Sequence, residues 1–205
     1  MSEAPRSERR AAVFFDRDGT LNREIEGALS RPEQLELLPG AVEAVARVNA
    51  SGLVAVLLTN QSAIARGWMT HFDLERVHLD LSQRLAAGGA RLDGLLACPH
   101  LDTEGFAPYH RACACRKPGS GMFRIASMRW NLDLAASWVI GDALRDLAGG
   151  AVLGVRGILV RSGKGEREAL RIDELPQAAR PFAVVPNVLQ AVELALANPE
   201  VAQGR

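Results

Sequence analysis

Short runs of apolar residues, each followed at once by a polar residue or a glycine, restrict the fold of this chain more than any other feature of its sequence. Three of these runs, with the residues that follow them, are 11–15 before Asp16, 53–58 before Thr59, and 138–140 before Gly141 and Asp142. Runs this short that are apolar throughout are typical of strands buried on both faces of a parallel sheet. Further strands are predicted at 92–97, 157–161 and 182–185.

Segments with the helical spacing of apolar residues separate the predicted strands. The clearest begins at Thr70, a good N-cap, has Asp73 three residues later and ends at Gly88. Other helices are predicted at 41–50, 122–130 and 144–153, with a final helix capped by Asn187. Alternating strands and helices predict an α/β fold, in which a parallel sheet forms the middle of three layers.

Length and charge limit the classes of protein to which this chain can belong. Its 205 residues predict one domain over 11–197, between a disordered tail at 1–10 and a C-terminal tail at 198–205. The chain carries 24 basic and 24 acidic side chains, and this balance argues against a general nucleic-acid binder. Its polar N-terminal residues predict no signal peptide, and its longest apolar run is too short to span a bilayer. We expect a cytoplasmic monomer without nucleic-acid or membrane partners.

Two carboxylates follow the first predicted strand. At the end of a strand their spacing directs Asp16 and Asp18 to one side, and Gly19 lets the chain turn away. Converging acids repel each other unless a cation or proton lies between them, and Mg²⁺ suits oxygen ligands. Thr59 and Asp142 also follow predicted strands, at the sheet edge where open α/β folds bind ligands. The alternative is a strand-ending turn without function.

Four motifs, in order, resemble those of the haloacid-dehalogenase (HAD) superfamily of phosphotransferases. They are DxDGT at 16–20, a threonine at Thr59, a lysine at Lys117, and GDxxxD at 141–146. The resemblance extends over about residues 11–196 and includes every motif of the superfamily's catalytic set. It implies a Rossmann-like parallel sheet of the HAD type.

The resemblance also implies a mechanism. Asp16 is expected to attack phosphorus and form an aspartyl phosphate, while Asp18 protonates the leaving alkoxide and later deprotonates water. Thr59 and Lys117 are expected to bind the phosphoryl oxygens. The Asp16 carboxylate, the Asp18 backbone carbonyl and Asp142 are expected to hold Mg²⁺.

All three cysteines of the chain lie in a segment without helical or strand periodicity. Together with one histidine they form the ligand set of tetrahedral structural zinc. The candidates are Cys98, His100, Cys113 and Cys115. Their spacing differs from the usual CxxC knuckle, so three free thiols beside a chance histidine are the alternative. His110 is a competing ligand.

The zinc segment and the second motif narrow the resemblance to one branch of the superfamily. Cys-Pro-His at 98–100, Cys-x-Cys-Arg-Lys-Pro at 113–118 and the segment 59–67 are similar to those of heptose 1,7-bisphosphate phosphatases. This resemblance implies no large cap domain, a zinc loop at 98–117, and substrate contacts from Asn60 and Arg116. The implied function is Mg²⁺-dependent removal of the 7-phosphate from a small phosphorylated sugar, D-glycero-D-manno-heptose 1,7-bisphosphate, in the synthesis of lipopolysaccharide precursors.

The sequence also fits functions other than hydrolysis of a heptose bisphosphate. Histidinol-phosphate phosphatases have a similar zinc loop, and another small sugar phosphate is also a candidate substrate. The branch often has a substrate-contacting lysine where this chain has Ala143, so the exact sugar and anomer are open. A zinc-stabilised binding module with relic motifs is a third hypothesis, but the complete catalytic set argues against it.

Other polar and aromatic residues have structural interpretations. These are a polar helix face for His71 and His78, and packing for Trp68, Trp130 and Trp138. Arg161 and Lys164 follow a strand at the same edge of the sheet, so contact with the site is one interpretation, and a solvated turn is the favoured one. Asp146 has two interpretations, because it can orient Lys117 or the metal waters, or be a solvated helix residue.

Overall fold

The computed structural model describes residues 9–198, and strands alternate with helices along that part of the chain. The strands are β1 (Ala12–Phe15), β2 (Val54–Asn60), β3 (Gly94–Cys98), β4 (Trp138–Gly141), β5 (Arg156–Val160) and β6 (Ala183–Val185). The helices are α1 (Ala41–Ala50), α2 (His71–Ala87), α3 (Gly121–Trp130), α4 (Leu144–Ala151), α5 (Gly165–Ala169) and α6 (Val188–Leu196). Short 3₁₀ turns lie at Pro32–Gln34, Ile172–Glu174 and Gln177–Ala179.

The six strands form one parallel sheet in the order β3-β2-β1-β4-β5-β6. The strand order reverses at β1, where Phe15 is in register with Leu57 of β2 and Ile140 of β4. Open α/β sheets bind ligands in the crevice at such a reversal, beyond the carboxyl ends of the strands. The topology therefore places Asp16, the residue that follows β1, at the expected ligand position.

Helices cover both faces of the sheet, as the alternating pattern predicts. Successive strand residues point to opposite faces, so Val13 and Phe15 pack in one cluster with α1, α2 and α6. Phe14 packs in the other cluster with α3 and α4, where its ring meets that of Phe123 edge to face at 5.0 Å. Burying such a side chain stabilises the fold by about 1.5–3 kcal/mol. The two apolar layers hold β1 and its terminal aspartate rigidly.

Helix caps and most element boundaries agree with the sequence prediction. Thr70 accepts from the backbone N–H of Asp73 at 3.1 Å, and Asn187 accepts from that of Gln190 at 3.0 Å. The third predicted strand begins two residues later, at Gly94, because its predicted first residues form a bend in which the Asp93 carboxylate accepts from Ala55. Helix α5 was not predicted, since its five residues carry little apolar periodicity.

The segments that follow β1 and β2 contain no large cap domain within residues 9–198. The first carries a 3₁₀ turn and α1, and the second carries α2. In that same part of the chain, no helix combines the length and hydropathy needed to cross a membrane. The predicted tails lie mainly outside the described residues, but Arg10 bridges to Leu132 beside the sheet.

Candidate functional site

The predicted catalytic residues meet at the carboxyl ends of β1 and β2. Asp16, Asp18, Thr59, Asn60 and Lys117 line one cavity of about 170 Å³. The backbone N–H of Asp16 donates to Ile140 at 2.9 Å, which continues the sheet into the site. Residues that also line the cavity, and to which the sequence assigned no role in the site, include Arg17, Gln61, Ser62, Arg66 and Arg145.

Lys117 is a buried cation between two carboxylates. Its ammonium group hydrogen-bonds Asp16, lies 2.8 Å from Asp146, and donates to the Leu58 carbonyl at 2.9 Å. Burial disfavours the charged amine, but the charges of Asp146 and Asp16 outweigh it and raise the pKa of Lys117. Asp146 is itself buried, so its interpretation as a solvated residue is wrong and its contact orients Lys117.

Asn60 holds the backbone of Lys117 in place. Its side-chain amide donates to the Lys117 carbonyl at 3.0 Å, and its oxygen accepts from the Lys117 N–H at 3.0 Å. This two-point contact joins the end of β2 to the segment that carries Lys117, which lies 57 residues later in the chain. Asn60 lines the cavity and also positions the lysine.

The carboxylate of Asp18 is held by a fork from Arg17. Nε and Nη2 of Arg17 donate to its two oxygens at 3.1 and 2.9 Å, and Asn22 and Gln61 add bonds of 3.0 Å each. Burial opposes ionisation of Asp18, but the Arg17 charge and these bonds lower its pKa. Gln61 also donates to the Thr59 hydroxyl at 2.8 Å and so links two motifs.

His78 supports Arg17 from helix α2. Its Nε2 lies 3.2 Å from Nη1 of Arg17, whose side chain is fully buried. Burial, and secondarily the Arg17 charge, lower the pKa of His78 to about 3, so the ring is neutral and can accept this bond. The predicted polar position of His78 is wrong, because it lies four residues after Leu74 and belongs to the buried stripe of α2. The sequence did contain a signal of its burial, because His78 lies four residues after Leu74 and three residues before Leu81.

The carboxylates at the ends of β1 and β4 form a donor set suited to a hard divalent cation. One oxygen each from Asp16, Asp142 and Asp146 lie within 4.8 Å of one another. Burial and the neighbouring acids raise the pKa of Asp142 to about 8, and burial raises that of Asp16. A Cβ at Gly19 or Gly163 would lie 2.2 Å from Oδ2 of Asp142, so the lack of a side chain at both positions leaves room for this carboxylate. These residues fit Mg²⁺.

The cysteine cluster has the dimensions of a tetrahedral metal site. The three Sγ–Sγ separations are 3.2, 3.3 and 3.6 Å, and Nδ1 of His100 lies 3.4 Å from Cys115 and 3.6 Å from Cys98. Zn–S bonds of about 2.3 Å at tetrahedral angles place sulfurs about 3.8 Å apart, whereas the two sulfurs of a disulfide are about 2.05 Å apart. His110 instead lies 3.3 Å from the Asp102 carbonyl, outside the cluster. The structure thus brings together all four predicted ligands and leaves out the competitor.

The segment that carries the cysteine cluster leads directly into Lys117. The backbone N–H of Arg116 donates to Cys113 Sγ at 3.4 Å, and Arg116 Nη1 donates to the His100 carbonyl at 3.2 Å. Arg116 is half-buried against this loop and is not among the residues that line the catalytic cavity. The loop therefore fixes the path of the chain into Lys117.

Three cationic side chains reach the cavity mouth without having been assigned to the site. Arg66 and Arg145 line it, and so does Lys164, whose backbone N–H donates to Asp142 Oδ2 at 2.8 Å. The prediction of a solvated turn at Lys164 is therefore wrong. Trp68 is 57% exposed rather than packed, and the Arg66 guanidinium lies 5.0 Å from its ring centre. The position of Lys164 after a strand at this sheet edge was a signal in the sequence, whereas tertiary contacts decide the positions of Arg66 and Arg145.

Comparisons with known proteins agree with this geometry. A family model described as HAD-hydrolase-like matches residues 114–191. A D-glycero-beta-D-manno-heptose-1,7-bisphosphate 7-phosphatase from Bordetella bronchiseptica is 36% identical over 168 residues, which cover 82% of this chain and 89% of that protein. The enzyme of the same name from Pasteurella multocida is 38% identical over 75% of this chain and 83% of its own length.

Two solved structures extend the comparison to the fold. The D,D-heptose 1,7-bisphosphate phosphatase of B. bronchiseptica, complexed with magnesium and phosphate, has a TM-score of 0.81 at 32% identity and covers 92% of this chain and 99% of its own. That of Burkholderia thailandensis has a TM-score of 0.66 at 31% identity, with coverage of 92% and 99%. Relatives at this identity and coverage, together with the four motifs at one sheet edge, show that the chain belongs to the HAD-like hydrolases, in the family of the heptose-bisphosphate phosphatases.

Proposed function

We propose that this protein is a Mg²⁺-dependent phosphomonoester hydrolase that removes the 7-phosphate of D-glycero-D-manno-heptose 1,7-bisphosphate. The observation that carries the proposal is the convergence of Asp16, Asp18 and Lys117 at the end of β1, in a cavity with room for a phosphoryl group. The names of the relatives supply the substrate.

The reaction divides between the two aspartates of the DxD motif. An oxygen of Asp16 attacks phosphorus in line, and the bond between phosphorus and the sugar oxygen breaks as Asp18 gives that oxygen a proton. Asp18 then takes a proton from water, whose oxygen attacks phosphorus and releases Asp16. Because its pKa is lowered, the Asp18 carboxyl group is ionised and can accept a proton from water in the base step. The negative phosphoryl group beside it favours the protonated form that the acid step needs.

Lys117 and Thr59 bind the phosphoryl oxygens during both steps. Asp146 and Asn60 hold the lysine, and Gln61 holds the threonine, so neither group must reorganise as charge develops. When bound by Asp16, the Asp18 carbonyl and Asp142, Mg²⁺ supplies positive charge that neutralises the transferring group.

We also propose that the cysteine cluster binds one structural zinc ion per chain. Three thiols and one imidazole at tetrahedral separations support this assignment. Reduced thiols are stable in the cytoplasm, which is where we place the enzyme. All of the residues assigned to the two sites come from one chain, which supports action as a monomer.

A substrate comparison tests the proposed function. We expect kcat/KM for the heptose bisphosphate to exceed that for histidinol phosphate by at least about tenfold, and ³¹P NMR to show that the 1-phosphate is retained. Initial rates on both compounds and on hexose bisphosphates provide the measurement. Faster turnover of histidinol phosphate would overturn the heptose assignment while leaving the phosphatase mechanism intact.

Replacement of His78 tests the support that it gives to Arg17. His78→Leu removes the acceptor for Arg17 Nη1, and we expect kcat to fall about tenfold because a buried charged donor is left unpaired beside Asp18. KM should change little, since His78 does not line the cavity. His78→Gln keeps an acceptor and should recover most of the loss, and His71→Leu, at an exposed position of the same helix, is the control. A leucine variant with wild-type kcat would contradict this role.

A further inference from the structure

The proposed substrate carries two phosphates, and the catalytic centre accounts for only one of them. We propose that Arg145 binds the second, non-reacting phosphate and so determines the preference for doubly over singly phosphorylated substrates. This inference rests on the proposed function, because it takes the bisphosphate as substrate. A second phosphate would need a cation of the cavity that is not already paired with a carboxylate.

Most of the cationic side chains that line the cavity already face a carboxylate. Arg17 is engaged by Asp18, and Lys117 lies between two aspartates. Arg66 pairs with Glu104 at 2.7 Å, and Lys164 pairs with Glu24. These four cations line the same cavity as Arg145. Arg145 has no carboxylate partner among residues 9–198, so its charge is available to an incoming anion.

Arg145 is also placed to reach a substrate held at Asp16. It is the second residue of α4, one position before Asp146, which contacts Lys117. Its own side chain is exposed and lines the same cavity as Asp16. Arg145 therefore borders the same space that a substrate with one phosphate at Asp16 would occupy. The planar guanidinium offers the two parallel donors that phosphate oxygens accept.

A second guanidinium group borders the cavity together with Arg145. Arg66 and Arg145 both line this space, so positive charge is concentrated there. Like charges grouped in this way repel one another, and a bound phosphate would relieve the repulsion. Ala143, the residue that precedes α4, is buried and has no charge to contribute. Arg145 is thus the free cation on this side of the cavity, among the residues that the structure describes.

The test compares two substrates with Arg145→Ala. We measure kcat/KM for the heptose 1,7-bisphosphate and for p-nitrophenyl phosphate, and we expect the ratio of the two to fall about 10- to 100-fold in the variant. The fall should come mainly from a higher KM for the bisphosphate. Arg145→Lys keeps the charge without the fork and should recover part of the ratio. Arg124→Ala, at an exposed position of α3 outside the cavity, is the matched control and should leave the ratio at the wild-type value.

The outcomes separate this inference from the proposed function. A wild-type preference for the bisphosphate that persists in Arg145→Ala overturns the role of Arg145 alone. An equal loss on both substrates also overturns it, since that result indicates damage to the catalytic centre. Wild-type enzyme that hydrolyses p-nitrophenyl phosphate but shows no preference for the bisphosphate overturns the proposed substrate and the role of Arg145 together.

Discussion

Asp16→Asn is expected to reduce kcat on any phosphate ester by roughly 10³-fold or more, the scale on which enzymes lose activity when a nucleophile is removed. The carboxamide has nearly the shape of the carboxylate, so the fold is preserved while the attacking oxygen loses its charge. Lys117 retains Asp146 as a partner after the change, because that contact of 2.8 Å does not involve Asp16. The measurement is the initial rate on p-nitrophenyl phosphate and on the heptose bisphosphate.

The control for this prediction separates loss of chemistry from loss of folding. Asp173→Asn makes the same substitution at a highly exposed carboxylate paired with Arg180, and it should leave kcat unchanged. The melting temperature of Asp16→Asn should not fall below that of wild type, since one of several mutually repelling buried acids is neutralised. A variant that hydrolyses esters at the wild-type rate would show that Asp16 is not the nucleophile.

Loss of the zinc site should have the second largest effect. We expect about one equivalent of zinc in protein purified without added metal, and less than a tenth in Cys115→Ser. Because the metal is expected to order the segment between β3 and Lys117, its loss should lower the melting temperature and activity together. Cys115 contributes to three of the five short contacts in the cluster, so this single substitution removes most of them.

The zinc prediction has its own control within the same loop. His110→Gln changes a histidine that lies near the cluster but outside it, and it should retain both the metal and the activity. Elemental analysis and thermal unfolding, with and without a chelator, give the two readouts. Wild-type protein with less than a tenth of an equivalent of zinc would contradict the assignment, whatever the activity of the variants.

The catalytic half of the site was predictable because its residues occur in local motifs at strand ends. Asp16, Thr59 and Asp142 follow apolar runs, and parallel strands bring their carboxyl ends to one edge. The three cysteines were also predictable as metal ligands from residue type, which left His100 and His110 as alternatives for the fourth ligand. By contrast, the spacing of His78 from the buried residues of α2 indicated burial, but its contact with Arg17 depends on tertiary packing, which the sequence does not show.

The sequence by itself determined the α/β class, the positions of nearly every strand and helix, and the chemistry of the acids, the lysine and the thiols. These follow from periodicity and residue type, which act over a few neighbouring positions. Only the tertiary structure decided that His100 rather than His110 joins the cysteines, that Asp146 holds Lys117, and that Arg145 has no carboxylate partner within residues 9–198. Those outcomes depend on distances between residues far apart in the chain, which only the packing of the sheet and its helices sets.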